Sequence, residues 1–184
     1  MQDQKPLRAQ NPSGAPSPLR LRWSNPHQEM LKSHAVAAFP EECCGFLFGL
    51  TIADGWRLKE VRPAKNVSKT PATGYELDGR EQAAAMKYAD ANRLEIIGYY
   101  HSHPNGRRGP SPTDFVLLGG DPKFLAPAES AKLPIELRSL AQQRLPDHSA
   151  LFVIAVEQGT ALDTSAWKLR RDLSGFDEII LEFF

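Results

Sequence analysis

The stretch His101-Ser102-His103-Pro104-Asn105-Gly106-Arg107-Arg108-Gly109-Pro110-Ser111-Pro112-Thr113-Asp114 constrains the fold more than any other part of the chain. Side chains alternate along a strand, so histidines at i and i+2 face the same side of an extended segment and can share one ion. Ser111 and Asp114 stand three apart, which puts them on a common face of a first helical turn. Ser111 before Pro112 also reads as an N-cap and N1 pair, and Asp114 in the first turn suits the helix dipole. Asn105, Gly106, Gly109 and Pro110 are loop formers that can fold the chain back between the two halves. A strand end, a loop and a helix start are therefore prescribed together. Two neutral imidazoles and a carboxylate suit zinc, and three protein ligands leave a fourth position open, which points to catalysis rather than structural support. His101, His103 and Asp114 are the candidate metal ligands.

Around this stretch the elements are legible in outline. Glu95 to Tyr100 is apolar, aromatic and β-branched and reads as a buried strand that carries the histidines at its C-terminal end. Asn25-Pro26 reads as N-cap and N1 of a helix whose Met30, Leu31, Ala35, Ala38 and Phe39 recur at helical spacing up to Pro40. Cys44 to Ile52 and Trp56 to Val61 are strand-like runs joined by an Asp54-Gly55 hairpin signal. Residues 62 to 74 read as loop, with a short run at Tyr75 to Leu77. Asp78 can cap an amphipathic helix over 79 to 93. Leu151 to Val156, Ala166 to Arg170 and Ile179 to Phe183 are further strands. Strands mixed with a few helices make an α+β domain, a mixed central β-sheet flanked by helices with the zinc site at a strand's end.

At 184 residues, 41% of them hydrophobic, the chain can bury one sizeable core. Residues 1–22 carry Pro6, Pro12, Pro16 and Pro18 among polar residues and are expected to form a flexible arm, with the domain over 23–184. Lysine plus arginine and aspartate plus glutamate number 22 each, so there is no net basic field for nucleic acid or an anionic membrane. No apolar run reaches the roughly 20 residues of a membrane span, and the N-terminus lacks a signal peptide's apolar core, so a cytoplasmic location is expected. Cys43 and Cys44 are adjacent and read as small buried hydrophobes.

The run Ile96-Ile97-Gly98-Tyr99-Tyr100-His101-Ser102-His103-Pro104, followed by Pro110-Ser111-Pro112-Thr113-Asp114, resembles the signature of the JAMM metallopeptidases, the catalytically competent MPN-domain family: HxHP, a short loop, then PSxxD. A second family element, PxExCGxLxG, looks like Pro40 to Gly49, and aligning on Cys44-Gly45 makes Glu42 the match rather than Glu41. The resemblance implies a Zn2+ enzyme that hydrolyses amide bonds. Glu42 would take a proton from water and hand it to the leaving amine, and Ser111 would hydrogen-bond the oxyanion. Residues 119–149 depart from the family pattern as an insertion, with helical spacing at Ile135 to Leu145.

Members of this family cleave isopeptide bonds to ubiquitin, or act on ubiquitin-like and sulfur-carrier proteins in prokaryotes, and the ExCG element and HSHPNG look more like the prokaryotic branch. The resemblance thus implies an isopeptidase acting at the tail of a ubiquitin-like protein. Two alternatives stand beside it: release of a single residue such as cysteine from a sulfur-carrier protein, and a noncatalytic scaffold. The 64–78 segment, between the glutamate and histidine elements, is the expected place for a substrate tail to add as a strand. Arg107 and Arg108 read as solvated loop charges, with a carboxylate on the substrate as the alternative partner.

Overall fold

Two strands, β2 (Cys44–Ile52) and β3 (Gly55–Ala64), form the hairpin expected from Asp54-Gly55. Gly55 takes φ +146°, a conformation that L side chains rarely adopt, and a Cβ there would strike the backbone of Arg20. The computed structural model describes residues 18–131, 133, 150–157 and 159–184. Around the hairpin lie β1 (Arg20–Trp23), α1 (Asn25–Ala38), α2 (Gly79–Asn92), β4 (Glu95–His103), α3 (Pro112–Leu117), α4 (Pro127–Ser130), β5 (Ala150–Glu157), β6 (Thr160–Leu169) and β7 (Phe176–Phe183).

The strand order is β1-β3-β2-β4-β5-β6-β7, and β7 pairs back to β1, so the mixed sheet closes on itself. β1 runs parallel to both β3 and β7, and β4 runs parallel to β5; the remaining neighbours are antiparallel. Closure was not foreseen, because β1 occupies the end of the segment read as an arm. Residues 1–17 lie outside the described residues, as does the helix expected over 135–145.

β2 shows how the layers form. Cys44 to Gly49 are all buried, because the strand is covered on both faces. Leu47 packs with Leu31 and Ala35 of α1, and with Trp23, Leu58, Ile97 and Tyr100. Phe46 and Phe48 turn the other way onto Ala85 and Ala89 of α2, with Tyr99 beside them. Adjacent Tyr99 and Tyr100 thus serve opposite layers. Gly45 is required where it stands, since a Cβ would collide with the Arg62 carbonyl and sit 2.6 Å from the Tyr100 ring.

Several boundaries differ from the sequence reading. The N-cap of α1 is Ser24 rather than Asn25, because Trp23 still pairs with Phe183 and because the Ser24 N–H donates to His27 Nδ1 (3.2 Å) three residues on. Met30 lies half exposed, and Leu31 and Ala35 carry the packing. β3 runs on to Ala64 and β6 starts at Thr160, since pairing with β2 and β5 extends both beyond their apolar runs. The short run at Tyr75–Leu77 makes a single bridge, Asn66 to Leu77. Asp78 caps α2, accepting from the Arg80 N–H at 2.6 Å. Among the described residues, no helix is long and apolar enough to cross a membrane.

Candidate active site

His101 and His103 end β4 and are buried on the same face, as strand alternation requires. Asp114 reaches them from the first turn of α3. His101 Nε2 lies 3.0 Å from His103 Nε2 and 3.2 Å from Asp114 Oδ1, and His103 Nε2 lies 3.1 Å from Asp114 Oδ2. One donor atom from each of the three falls within 4.8 Å of the others.

The loop between the histidines and Asp114 folds back at Gly106 (φ +73°) and Gly109 (φ +72°). Asn105 bridges to Glu157, and Gly109 lies under the Trp167 ring, where a Cβ would be 3.1 Å away. Two polar contacts of this loop order His103 and Asp114. The Arg107 carbonyl accepts from His103 Nδ1 at 3.2 Å, which leaves the Nε2 lone pair facing the cluster. The Ser111 N–H donates to Asp114 Oδ2 at 2.6 Å, and Ser111 Oγ in turn accepts from the Asp114 N–H at 3.1 Å, a reciprocal cap at the head of α3. Because Oγ accepts there, its hydroxyl proton stays free to donate.

Glu42 reaches the same face through strand register. Cys44 pairs with His101, and the ladder continues one step, with the Ser102 N–H donating to the Cys43 carbonyl (3.1 Å) and the Cys43 N–H donating to Ser102 Oγ (2.9 Å). Extending that register sets Glu42 opposite His103, and cross-strand partners share a face. Glu41 falls on the other parity and is exposed, whereas Glu42 is 6% exposed.

Burial pushes the Glu42 carboxyl up to about 8; nearby Asp114 adds to the rise and His103 partly opposes it. For Asp114 burial acts the same way, but the two imidazoles outweigh it and hold the carboxyl well below its usual range. Burial lowers His101, whereas Asp114 overcomes burial at His103 and raises it.

This donor set fits a divalent cation. Two imidazole nitrogens and a carboxylate converge in a buried space, with His103 Nδ1 already committed to a carbonyl, so their lone pairs confront one another unless positive charge sits among them. By contrast, burial pushes the Cys43 and Cys44 thiols up to about 11 and about 12, which makes them poor nucleophiles. Arg107 and Arg108 are exposed; one donates to the Pro110 carbonyl and the other sits 3.5 Å from Asp163.

One aromatic at the site escaped the sequence reading. Tyr75 stacks on the His101 imidazole, with ring centroids 4.5 Å apart and planes 21° from parallel. It was visible only as the start of a short run, because a single ring in an aperiodic loop has no spacing to betray its target.

Residues 24–164 match the family model of prokaryotic homologs of the JAB domain. The chain is 35% identical over 99 residues to the desampylase of Haloferax volcanii, a stretch covering 52% of this chain and 70% of that protein. It is 35% identical over 86 residues to the CysO-cysteine peptidase of Mycobacterium tuberculosis, covering 46% of this chain and 56% of that protein. A solution structure of a Desulfitobacterium hafniense protein superposes with a TM-score of 0.64 over 89% of this chain and 92% of that one, at 22% identity, a likeness of fold. The chain therefore belongs to the prokaryotic JAB-domain proteins, the family whose JAMM signature its sequence resembles.

Proposed function

We propose that this protein is a zinc-dependent peptidase that hydrolyses the amide bond at the C-terminal tail of a ubiquitin-like protein. The observation that carries the reading is the buried His101–His103–Asp114 cluster with the Glu42 carboxyl on the same face. The names of the similar proteins, a desampylase and a CysO-cysteine peptidase, support it.

His101, His103 and Asp114 would hold the ion, and zinc, when bound, supplies Lewis acidity and acidifies water. Glu42 then accepts the proton that water loses and passes it to the departing amine. Burial lifts the Glu42 carboxyl above its usual range toward neutrality, which suits a group that must both take and return a proton. Ser111 donates its free hydroxyl proton to the carbonyl oxygen as negative charge develops there. Its backbone N–H meanwhile keeps Asp114 oriented. The 64–78 segment, whose Tyr75 lies against His101, would receive the substrate's tail as an added strand.

The test is mass spectrometry of a ubiquitin-like protein carrying a C-terminal amide-linked extension, incubated with wild type, Glu42→Gln and His103→Ala. Wild type releases the extension, a chelator stops it and added zinc restores it. Glu42→Gln keeps one zinc per chain and loses nearly all turnover; His103→Ala loses both. Full activity of Glu42→Gln would move the base role elsewhere, and zinc-loaded wild type that cleaves no such substrate would leave the scaffold reading. The mass removed also distinguishes this cut from release of a single residue such as cysteine.

A further inference from the structure

Glu42 stands one step outside the sheet. β2 begins at Cys44 and the last ladder contacts to β4 are made by Cys43, so no neighbouring strand holds the Glu42 backbone. Both of its main-chain polar groups are taken by the 65–78 loop instead. The Glu42 N–H donates to the Pro71 carbonyl at 2.7 Å, and the Glu42 carbonyl accepts from Asn66 Nδ2 at 2.9 Å.

Asn66 is saturated by such contacts. Its Nδ2 also donates to the Gly74 carbonyl (3.1 Å), and its Oδ1 accepts from the N–H groups of Ser68 (3.0 Å) and Glu76 (3.1 Å). A side-chain amide offers two donors and two acceptor sites, and here all four are engaged. Gly74 and Glu76 flank Tyr75, the ring stacked on His101. One half-buried side chain therefore ties the backbone on both sides of that ring to the backbone of the residue that bears the acidic group.

We propose that Asn66 is the positioning residue of this site, setting the Glu42 carboxyl and the Tyr75 ring relative to the histidines through the loop it organises; the proposal rests on the reading of Glu42 as proton acceptor. The Asn66 side chain is spent on backbone groups of the loop and of Glu42, so it acts through Glu42 and Tyr75. None of the three metal donors is on the 65–78 loop, so the proposal separates catalysis from ion retention. A displacement of about 1 Å at a reacting group can cost about 100-fold in rate.

The test uses Asn66→Asp, which keeps an oxygen for Ser68 and Glu76 but sets carboxylate oxygens against the carbonyls of Glu42 and Gly74, with Asn66→Ala as a second variant. Turnover of a ubiquitin-like protein bearing a C-terminal coumarin amide is measured on zinc-loaded protein, and amide hydrogen exchange on metal-free protein. The expected result is kcat lower by about 10- to 100-fold with KM within about twofold and one zinc per chain retained. Exchange at Glu42 should speed by about tenfold while that of Leu47, inside β2, stays unchanged, the mark of local rather than global loosening. Wild-type kcat in both variants would overturn the proposal. So would loss of zinc in parallel with kcat, equal acceleration of exchange at Leu47, or the absence of a cooperative melt in both variants, each of which makes Asn66 a folding residue. If Glu42→Gln is inactive while Asn66→Asp is fully active, only this proposal fails; if Glu42→Gln is fully active, the base assignment beneath it fails.

Discussion

Ser111 carries two duties that two measurements on one variant can separate. Its Oγ accepts the Asp114 N–H and its own N–H holds Asp114 Oδ2, so it caps α3 and orients the Asp114 carboxylate, while its hydroxyl proton stays free for the oxyanion role proposed above. Ser111→Ala should lower stability by about 1 kcal/mol for the lost cap and reduce kcat by about 100-fold with KM little changed. Ser111→Thr, which keeps a hydroxyl, should recover most of both; thermal melts and steady-state kinetics on zinc-loaded protein check this. The cap was legible in Ser111-Pro112 because capping is a local preference. Glu42 was not legible in that way: nothing local ranks it over Glu41, and the choice came from resemblance. Physically the two are separated by parity, since a one-residue slip in register against β4 would turn Glu42 away from His103 and bring Glu41 in.

At the level of elements, the 104–110 loop is what brings Asp114 to the two histidines at the end of β4. Gly109 holds φ +72° beneath Trp167, so Gly109→Ala adds both a backbone cost of about 1–2 kcal/mol and a Cβ 3.1 Å from the indole. Zinc affinity should fall about tenfold, measured by competition with a chelating dye, while the α1 and α2 layers are unaffected. Unchanged affinity would mean that Asp114 is held by the α3 cap alone. Loop-forming residues at 105–110 were readable from Gly, Asn and Pro chemistry, but the brace was not. Trp167 lies in β6, and its position over Gly109 depends on where β6 joins the sheet.

For the whole molecule, closure through β1 is the deciding event. Arg22 in that strand donates to both carboxylate oxygens of Asp54 (3.0 and 2.9 Å), and its Nε donates to Glu182 of β7 (2.8 Å), so one guanidinium clasps the hairpin turn and the last strand. The Arg22 hydrogen bond holds the Asp54 carboxyl below its usual range. A carboxyl depressed in the folded state stabilises fully above its unfolded pKa, about 4, and loses that contribution as pH falls through the folded value. Asp54→Asn keeps an Asn-Gly turn suited to the hairpin and removes the charge. Its melting temperature should lie below wild type by about 1–3 °C at pH 7, and the gap should narrow below about pH 4. A gap independent of pH would assign the effect to the turn rather than to the ion pair.

What the amino-acid sequence determined by itself was everything governed by neighbours a few residues apart: the alternation that sets His101 and His103 on one face, the Ser111 cap that delivers Asp114, the Asp54-Gly55 turn, and the buried strand that carries the histidines. Tertiary structure alone decided which glutamate faces the histidines, that Tyr75 covers His101, that Asn66 ties the 65–78 loop to Glu42, and that β1 closes the sheet. Each of these depends on pairing register, or on a loop with no period, between segments far apart along the chain. Local propensity is blind to such contacts, and only burial of the shared core selects among the possible registers.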